Sequence, residues 1–344
     1  MKNKILLISI FILALIIGAA QFVSNNNPLY ALKINKTYST LKPELSNFAI
    51  KDVDSIDKII IADKQDHTVV LEKTEEGWRV NQKFYAREDA IANILQAIGK
   101  MRIKRPISKA ERNLQITRLS TQSKKVVIYQ NGKKVKTYYV GGATQDQYGT
   151  FVLLEGSSVP FVTHIPGFLG FLTPRFFALE DLWRENFIFK SNPKNITYVQ
   201  VINHENSQNN FTLSKDDKNQ FHLLDAQNTE ISNVDTLQIQ RYLNTFKKIS
   251  YEAMTTHISE HKKDSLIHSQ PFYSITIKAG EKNQQIINTY HVINETHYDD
   301  NGNLLKYDPD RMYGSFNNNT DLATVQFRTF DKITIDPKLL TKAN

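Results

Sequence analysis

The hydrophobic pattern of this chain begins with one continuous apolar run. Lys2 and Lys4 precede residues 5–20, which carry no charged side chain. A basic start followed by an apolar stretch is typical of a membrane export signal. The run holds about 16 residues, or about 19 with Phe22 and Val23, against about 20 in a spanning helix. The pattern predicts a signal anchor or transmembrane helix at residues 1–23, and cleavage after the small residues 18–20 stays open.

Beyond this segment, short stretches rich in β-branched residues occur in the same order in both halves of the chain. Such stretches predict β-strands. Trp78 and Phe221 fall at matching places in the third strand of each half. The predicted strands are 56–62 (IDKIIIA), 68–73 (TVVLEK) and 77–80 (GWRV) in the first half, and 196–202 (ITYVQVI), 211–215 (FTLSK) and 220–223 (QFHL) in the second.

An amphipathic helix and a hairpin follow in each half. Residues 87–100 and 235–248 place apolar side chains on one helical face, and the strands 101–105 and 249–254 come next. Asn131-Gly132 between two β-branched runs predicts a type I′ turn, and residues 272–292 mirror that hairpin. Residues 148–151 (YGTF) then match 313–316 (YGSF). The ordered matches predict a tandem duplication; the alternative is two unrelated segments with generic patterning.

These elements predict an α+β fold with two similar lobes. Each lobe is expected to be an antiparallel sheet of hairpins with a covering helix, because hairpin-connected strands pair antiparallel. The predicted domain boundaries are an anchor at 1–23, a spacer at 24–47, a first lobe at 48–190, a second lobe at 191–337 and a tail at 338–344.

Composition narrows the chemistry. The 344 residues are 40% hydrophobic, enough for a substantial core, and contain no cysteine. A lipid-modified cysteine, disulfides, zinc-thiolate sites and a thiol nucleophile are therefore excluded. An exported location also argues against nucleic acid as a partner.

The net charge of +8 is concentrated in one window. Residues 100–136 contain 12 Lys or Arg and one acid, Glu111. If residues 100–105 form a strand, Lys100, Arg102 and Lys104 share one face and make a basic stripe. That stripe predicts contact with phospholipid headgroups or with an acidic protein surface. The alternative is a set of solvated strand faces.

Aromatic residues crowd residues 159–189, a segment broken by proline and glycine. Phe168, Phe171 and Trp183 are predicted to contribute to a docking surface, with Arg175 and Arg184 beside them to contact an acidic partner. The alternatives are contact with a bilayer and packing of these side chains between the two lobes, with the two arginines in an ion pair there.

No motif in the chain specifies a reaction. His257, His261 and His268 are close in sequence, and the spacing of the first two suits one helical face, but a third metal ligand is not evident. Residues 299–303 (DDNGN) concentrate oxygen ligands yet lack an EF-hand pattern and fit a turn better. Residues 156–158 (GSS) fit a hairpin turn rather than a nucleophile elbow. We therefore predict no catalytic residue, no cofactor and no metal site.

Several short motifs in order resemble one bacterial family. They are LEKTEEGWRVN at 71–81, TYYVGG at 137–142, YGTFVLLEG at 148–156, IPGF at 165–168, LWRENFIF at 182–189 and DPDRMYG at 308–314. Together with residues 56–62 they resemble the domain of unknown function numbered 4340, in the layout of its Bacteroidota members. The resemblance covers nearly all of the chain beyond the anchor. The family has no assigned catalytic residues, so none is transferred to this chain.

The resemblance implies a role in the cell envelope. Members of the family are single-pass or exported, and their genes often neighbour ABC-transporter components of the gliding-motility type. We therefore expect a non-enzymatic accessory protein in the inner membrane, held by residues 5–23 with the bulk of the chain in the periplasm. The expected partners are ABC-transporter or other envelope proteins. The alternative is a periplasmic module that binds a small molecule or ion in a cleft between the lobes.

Overall fold

The computed structural model describes residues 46–280 and 284–342. The predicted anchor at 1–23 and most of the spacer lie outside the described residues. Within the described residues, no helix is both long enough and apolar enough to span a membrane. The chain divides by its internal contacts into two units, and the division falls between Arg184 and Glu185.

The first unit contains nine strands and three α-helices among its described residues. The helices are α1 (Glu88–Lys100), α2 (Lys109–Gln122) and the single turn α3 (Glu180–Trp183). The strands are β1 (Ile56–Ala62), β2 (Thr68–Thr74), β3 (Gly77–Val80), β4 (Phe84–Tyr85), β5 (Arg102–Pro106), β6 (Lys124–Gln130), β7 (Lys133–Ala143), β8 (Thr150–Leu154) and β9 (Phe161–His164).

All nine strands form one antiparallel sheet in the order β4-β3-β2-β1-β6-β7-β8-β9-β5. Helix α1 buries Ile91, Ile94 and Ile98 against it. These side chains recur three and four residues apart, so they line a single helical face. Strand β5 follows α1 directly and lies at one edge of the sheet.

The second unit has the same kinds of element. Its helices are α4 (Thr236–Thr245), α5 (Glu260–Ile267) and the single turn α6 (Phe327–Phe330). Its strands are β10 (Phe187–Phe189), β11 (Ile196–Asn203), β12 (Phe211–Lys215), β13 (Phe221–Leu224), β14 (Ile249–Ser250), β15 (Ala253–Met254), β16 (Tyr273–Ala279), β17 (Gln284–Ile293), β18 (Tyr307–Phe316) and β19 (Asp321–Gln326).

Eight of these strands form a second antiparallel sheet, in the order β13-β12-β11-β16-β17-β18-β19-β15. Strands β10 and β14 pair separately. Helix α4 buries Ile239, Tyr242 and Leu243, and Phe246 just after it is also buried. The prediction of a mixed fold with mostly antiparallel sheets and few helices is confirmed.

Some details of the prediction were wrong. Lys100 ends helix α1 instead of beginning a strand, and β5 starts at Arg102. The predicted strand 249–254 is two short strands, β14 and β15, in different sheets. Helices α2 and α5 were missed because their apolar faces are weak: α2 buries only Gln115 and Leu119.

A local signal could have located α2. The Ser108 hydroxyl accepts a hydrogen bond from the Glu111 backbone N–H at 3.2 Å, and Ser108 and Glu111 have the spacing of a capping box. Helix α5 begins in the same way, with Ser259 accepting from the Lys262 N–H at 3.3 Å. The sequence contains both N-cap serines. Helices α2 and α5 lack the strong hydrophobic periodicity of α1 and α4.

Candidate functional site

Among the described residues of the first unit, the most exposed large apolar side chain is Leu169, in the loop that follows β9. We call residues 166–171 (PGFLGF) the apolar loop. Leu169 is 84% exposed and Phe168 is 37% exposed, whereas Phe171 is half-buried. Gly167 and Gly170 have φ values of +82° and +148°, a region that favours glycine. The backbone turns at both glycines and presents Phe168 and Leu169 to solvent.

The loop is fixed at both ends. At its start the Phe168 N–H donates to the Ile165 carbonyl at 3.0 Å. At its end the Leu172 N–H donates to the Thr150 hydroxyl at 2.6 Å, and Leu172 itself is fully buried. The exposed leucine therefore sits on a loop that is hydrogen-bonded to the sheet rather than on a free chain end.

Arg175 packs against the apolar loop through Phe168. Its guanidinium lies 4.6 Å from the centre of the Phe168 ring, in range of a cation–π contact. It also donates to the Asn93 carbonyl at 3.0 Å and to Gln96 Oε1 at 2.6 Å, both on α1. Burial lowers the pKa of Arg175. Arg175 therefore links Phe168 to α1.

Two basic residues lie on the neighbouring edge strand. Arg102 and Lys104 are both exposed on β5, whose pairing with β9 is irregular between Ile103 and Arg105. Arg102 pairs across the strands with His164, two residues before the apolar loop. Lys104 Nζ donates to the Tyr148 carbonyl at 3.1 Å and lies 3.6 Å from Asp146 Oδ2. Asp146 has a lowered pKa, chiefly because the Thr144 hydroxyl donates to it, with a smaller contribution from Lys104. Part of the Lys104 charge is therefore already neutralised.

The structure removes two residues from the predicted docking surface. Trp183 is fully buried in the core of the first unit, where its Nε1–H donates to the Phe177 carbonyl at 2.8 Å and its ring lies 4.3 Å from that of Phe177. Arg184 is only 7% exposed and stacks on Phe84, with 4.0 Å between its guanidinium carbon and the ring centre. Both side chains are structural.

Lys100 stays exposed, although on the last turn of α1 instead of on β5. The remaining surface consists of Phe168, Leu169, Arg102 and Lys104, with Arg175 beneath; we call it the loop-and-edge surface. Sequence reasoning missed Leu169, since a single leucine between aromatic residues carries no signal of exposure.

The second unit contains a cavity of about 550 Å³. Three lysines line it, Lys194, Lys215 and Lys247, and no acidic side chain does so among the described residues. The rest of the lining combines side-chain amides with apolar groups and one hydroxyl: Asn192, Asn219, Gln240, Asn244, Pro193, Ile196, Phe221, Leu243 and Thr236. A cavity of this size and composition is in the range of small-molecule sites.

The candidate metal ligands do not converge. Among the described residues, no group of three or more histidine, aspartate or glutamate side chains is placed to hold a metal ion. His257 precedes the N-cap of α5, Ser259, so it does not share a helical face with His261. Asp299 Oδ1 accepts from the N–H groups of Asn301 and Asn303 at 2.9 and 2.8 Å, as in a turn. These bonds lower the pKa of Asp299.

Comparison with known protein families identifies the family of this chain. The model of the domain of unknown function DUF4340 matches residues 78–266, more than half of the chain. The chain belongs to this family. No curated protein and no solved structure matches the chain.

The DUF4340 match covers parts of both units. It includes β5, the apolar loop and Arg175 in the first unit. All twelve residues that line the cavity of the second unit, from Asn192 to Lys247, also fall inside it. The loop-and-edge surface and the cavity are therefore both parts of the matched region.

Proposed function

We propose that this DUF4340 protein is a non-enzymatic accessory component of an envelope complex, of the ABC-transporter or gliding-motility type. In this proposal it is a Bacteroidota-type member, anchored in the inner membrane through residues 5–23 with the rest of the chain in the periplasm. The support is the basic start and apolar run of the sequence, together with the family resemblance. It acts by binding other proteins.

The observation that carries the proposal is the exposure of Leu169. A leucine that is 84% exposed gains about 1.5–3 kcal/mol when a partner buries it fully. Leu169 is presented by a loop that is already hydrogen-bonded to the sheet, so little conformational entropy remains to be lost on binding. Phe168 and Leu169 are adjacent exposed apolar side chains, and contiguous apolar patches rimmed by polar residues mark protein–protein contact sites.

The chemistry of the loop-and-edge surface defines the partner. Phe168 and Leu169 require an apolar recess, and Arg102 and Lys104 on the neighbouring edge strand favour acidic groups around that recess. We therefore expect an acidic, partly apolar surface on a periplasmic protein domain. A bilayer surface rich in anionic lipid is the competing partner, and it is separated from the first by the experiment below.

We also propose that the two units are copies of one plan. The support is the strand order, because β3-β2-β1-β6-β7-β8-β9-β5 corresponds strand for strand to β13-β12-β11-β16-β17-β18-β19-β15. The first pair of inner strands is irregular at the same place in both units, between Ile56 and Lys58 and between Ile196 and Tyr198. Strand β4 has no counterpart in the second sheet.

One of the sequence matches is out of register with this correspondence. Tyr139 on β7 and Asn288 on β17 take the same position in the two sheets. Leu153 pairs with Tyr139, and Ser315 pairs with Asn288. Leu153, rather than Thr150, therefore takes the position of Ser315. The likeness of residues 148–151 to 313–316 does not reflect equivalent positions, so the support for duplication comes from the strand order.

Leu169→Asp is expected to reduce recovery of the envelope partner by about tenfold or more, since a loss of 1.4 kcal/mol corresponds to tenfold. The measurement is crosslinking in cells, followed by affinity purification of the full-length protein from membranes and mass spectrometry. Quantitative recovery of ABC-transporter subunits with the unaltered protein is the expected result.

The matched control is Leu304→Asp, the same substitution at a leucine that is 52% exposed in the second unit. We expect it to leave partner recovery unchanged. Equal recovery with Leu169→Asp and with the unaltered protein would refute the role of the loop. If the protein crosslinked to lipid alone, in cells where a known envelope complex is captured, the partner would be a bilayer surface and not a protein.

A further inference from the structure

We propose that the cavity of the second unit binds a small organic anion that carries an apolar group, such as an alkyl or aryl phosphate. This inference is independent of the docking role proposed above, because the cavity and the loop-and-edge surface belong to different units. It rests on the charge, the apolar lining and the shape of the cavity.

The charge of the cavity is entirely positive. Lys194, Lys215 and Lys247 line it, and none of them forms an ion pair with another described residue. Lys215 is half-buried and its Nζ lies 5.9 Å from the centre of the Phe221 ring. Lys194 and Lys247 are exposed at the cavity. An anion bound in the cavity is attracted by all three cations. The amides of Asn219, Gln240 and Asn244 add neutral hydrogen-bond donors.

The apolar lining indicates more than a bare ion. The apolar part of the cavity lining consists of Phe221, Leu243, Pro193 and Ile196. A free inorganic anion would leave these groups in contact with water, whereas an alkyl or aryl group would cover them. A volume of about 550 Å³ also exceeds what a single phosphate needs and suits a small organic molecule.

The two units differ in charge at the positions that line this cavity. The residue two places before Ile56 is Asp54, and the residue two places before Ile196 is Lys194. Those two isoleucines begin the equivalent strands β1 and β11 and are both followed by the same irregular pairing. An acidic residue in one unit thus has a basic counterpart in the other. Asp52 and Asn192, two residues earlier in each unit, also differ in charge.

The packing at the end of the covering helix also differs between the two units. Gly99 follows Ile98, the last buried side chain of α1, and Lys247 follows Phe246, the buried residue directly after α4. In the first unit Val53 packs so closely on Gly99 that a Cβ there would lie 2.8 Å from the Val53 methyl carbon. In the second unit Pro193 and Lys247 instead line the open cavity. The second unit therefore has a lysine at the place where the first unit has a glycine in close contact with Val53.

The test is a lysine acetylation footprint of the full-length protein in membranes, read by mass spectrometry with hexyl phosphate as the probe. We expect the probe to slow acetylation of Lys215 and Lys247 by about tenfold at roughly ten times its dissociation constant, because the modified form accumulates only from the free site. Lys73 is the internal control, since it pairs with Trp78 in the first unit as Lys215 pairs with Phe221 in the second.

Three comparisons decide the outcome. Hexyl glucoside, which has the same alkyl chain without the charge, is expected to give no protection, and inorganic phosphate is expected to protect less than hexyl phosphate at equal concentration. Lys247→Gln, at an exposed position, is expected to weaken the protection of Lys215. Absence of protection by hexyl phosphate at millimolar concentration, or equal slowing at Lys73, overturns the proposal. Equal protection by inorganic phosphate overturns the apolar part of the ligand.

Discussion

Trp183→Ala is expected to lower the free energy of unfolding of the first unit by about 3–5 kcal/mol, the usual cost of truncating a fully buried Trp. The indole is 0% exposed and packs on Phe177. Its removal leaves a cavity and also leaves the Phe177 carbonyl without the Nε1–H that donates to it at 2.8 Å. Both effects act in the same direction.

Hydrogen exchange followed by mass spectrometry measures this change, because peptides from β1 and β6 report the first unit separately. The slowest amides there are expected to exchange about two to four powers of ten faster, at 1.4 kcal/mol per tenfold. Leu182→Ala, at the adjacent and 44% exposed position, serves as the control and should change stability by no more than about 0.5 kcal/mol. A Trp183→Ala effect as small as that of the control would contradict the assignment of Trp183 to the core and support its assignment to the docking surface.

Phe246→Ala is expected to have an effect of similar size in the second unit, about 3–5 kcal/mol. Phe246 is fully buried and its ring lies 5.7 Å from Phe189 and 5.4 Å from Tyr242, centre to centre. The Tyr242 hydroxyl donates to the Ile333 carbonyl at 2.8 Å. Loss of the Phe246 ring therefore removes its ring contacts with Phe189 on β10 and with Tyr242 on α4.

The same exchange experiment detects this effect in peptides from β11 and β16. Lys247→Ala, one residue further along and exposed, is the matched control and is expected to leave exchange in these peptides unchanged. If Phe246→Ala changed exchange by less than about tenfold, the ring would contribute under 1.4 kcal/mol, and the core of the second unit would have to be centred elsewhere.

The strands and the hairpins were predictable because their signals are local. Strand β1 was predicted at residues 56–62 and is found there. Asn131 and Gly132 have φ values of +50° and +73°, as the predicted type I′ turn requires. The covering helices α1 and α4 were also predictable, since buried side chains recur along one face of each.

The candidate site was predicted only in part. Arg102 and Lys104 were expected on one exposed strand face, and both are exposed on β5. Phe168 and Trp183 looked alike in the sequence, as aromatic residues in a segment broken by proline and glycine. Only their packing separates them: Phe168 is held outward on Arg175, and Trp183 is enclosed by the core.

The sequence by itself determined the residues that form strands, the tight turn at Asn131-Gly132 and the amphipathic helices, because these depend on neighbours a few residues away. Tertiary structure alone decided which aromatic side chains are buried, how far Leu169 extends into solvent, and that Lys194, Lys215 and Lys247 meet around one cavity. Those properties depend on contacts between segments distant in sequence, and no local pattern of hydrophobic and polar residues records such contacts.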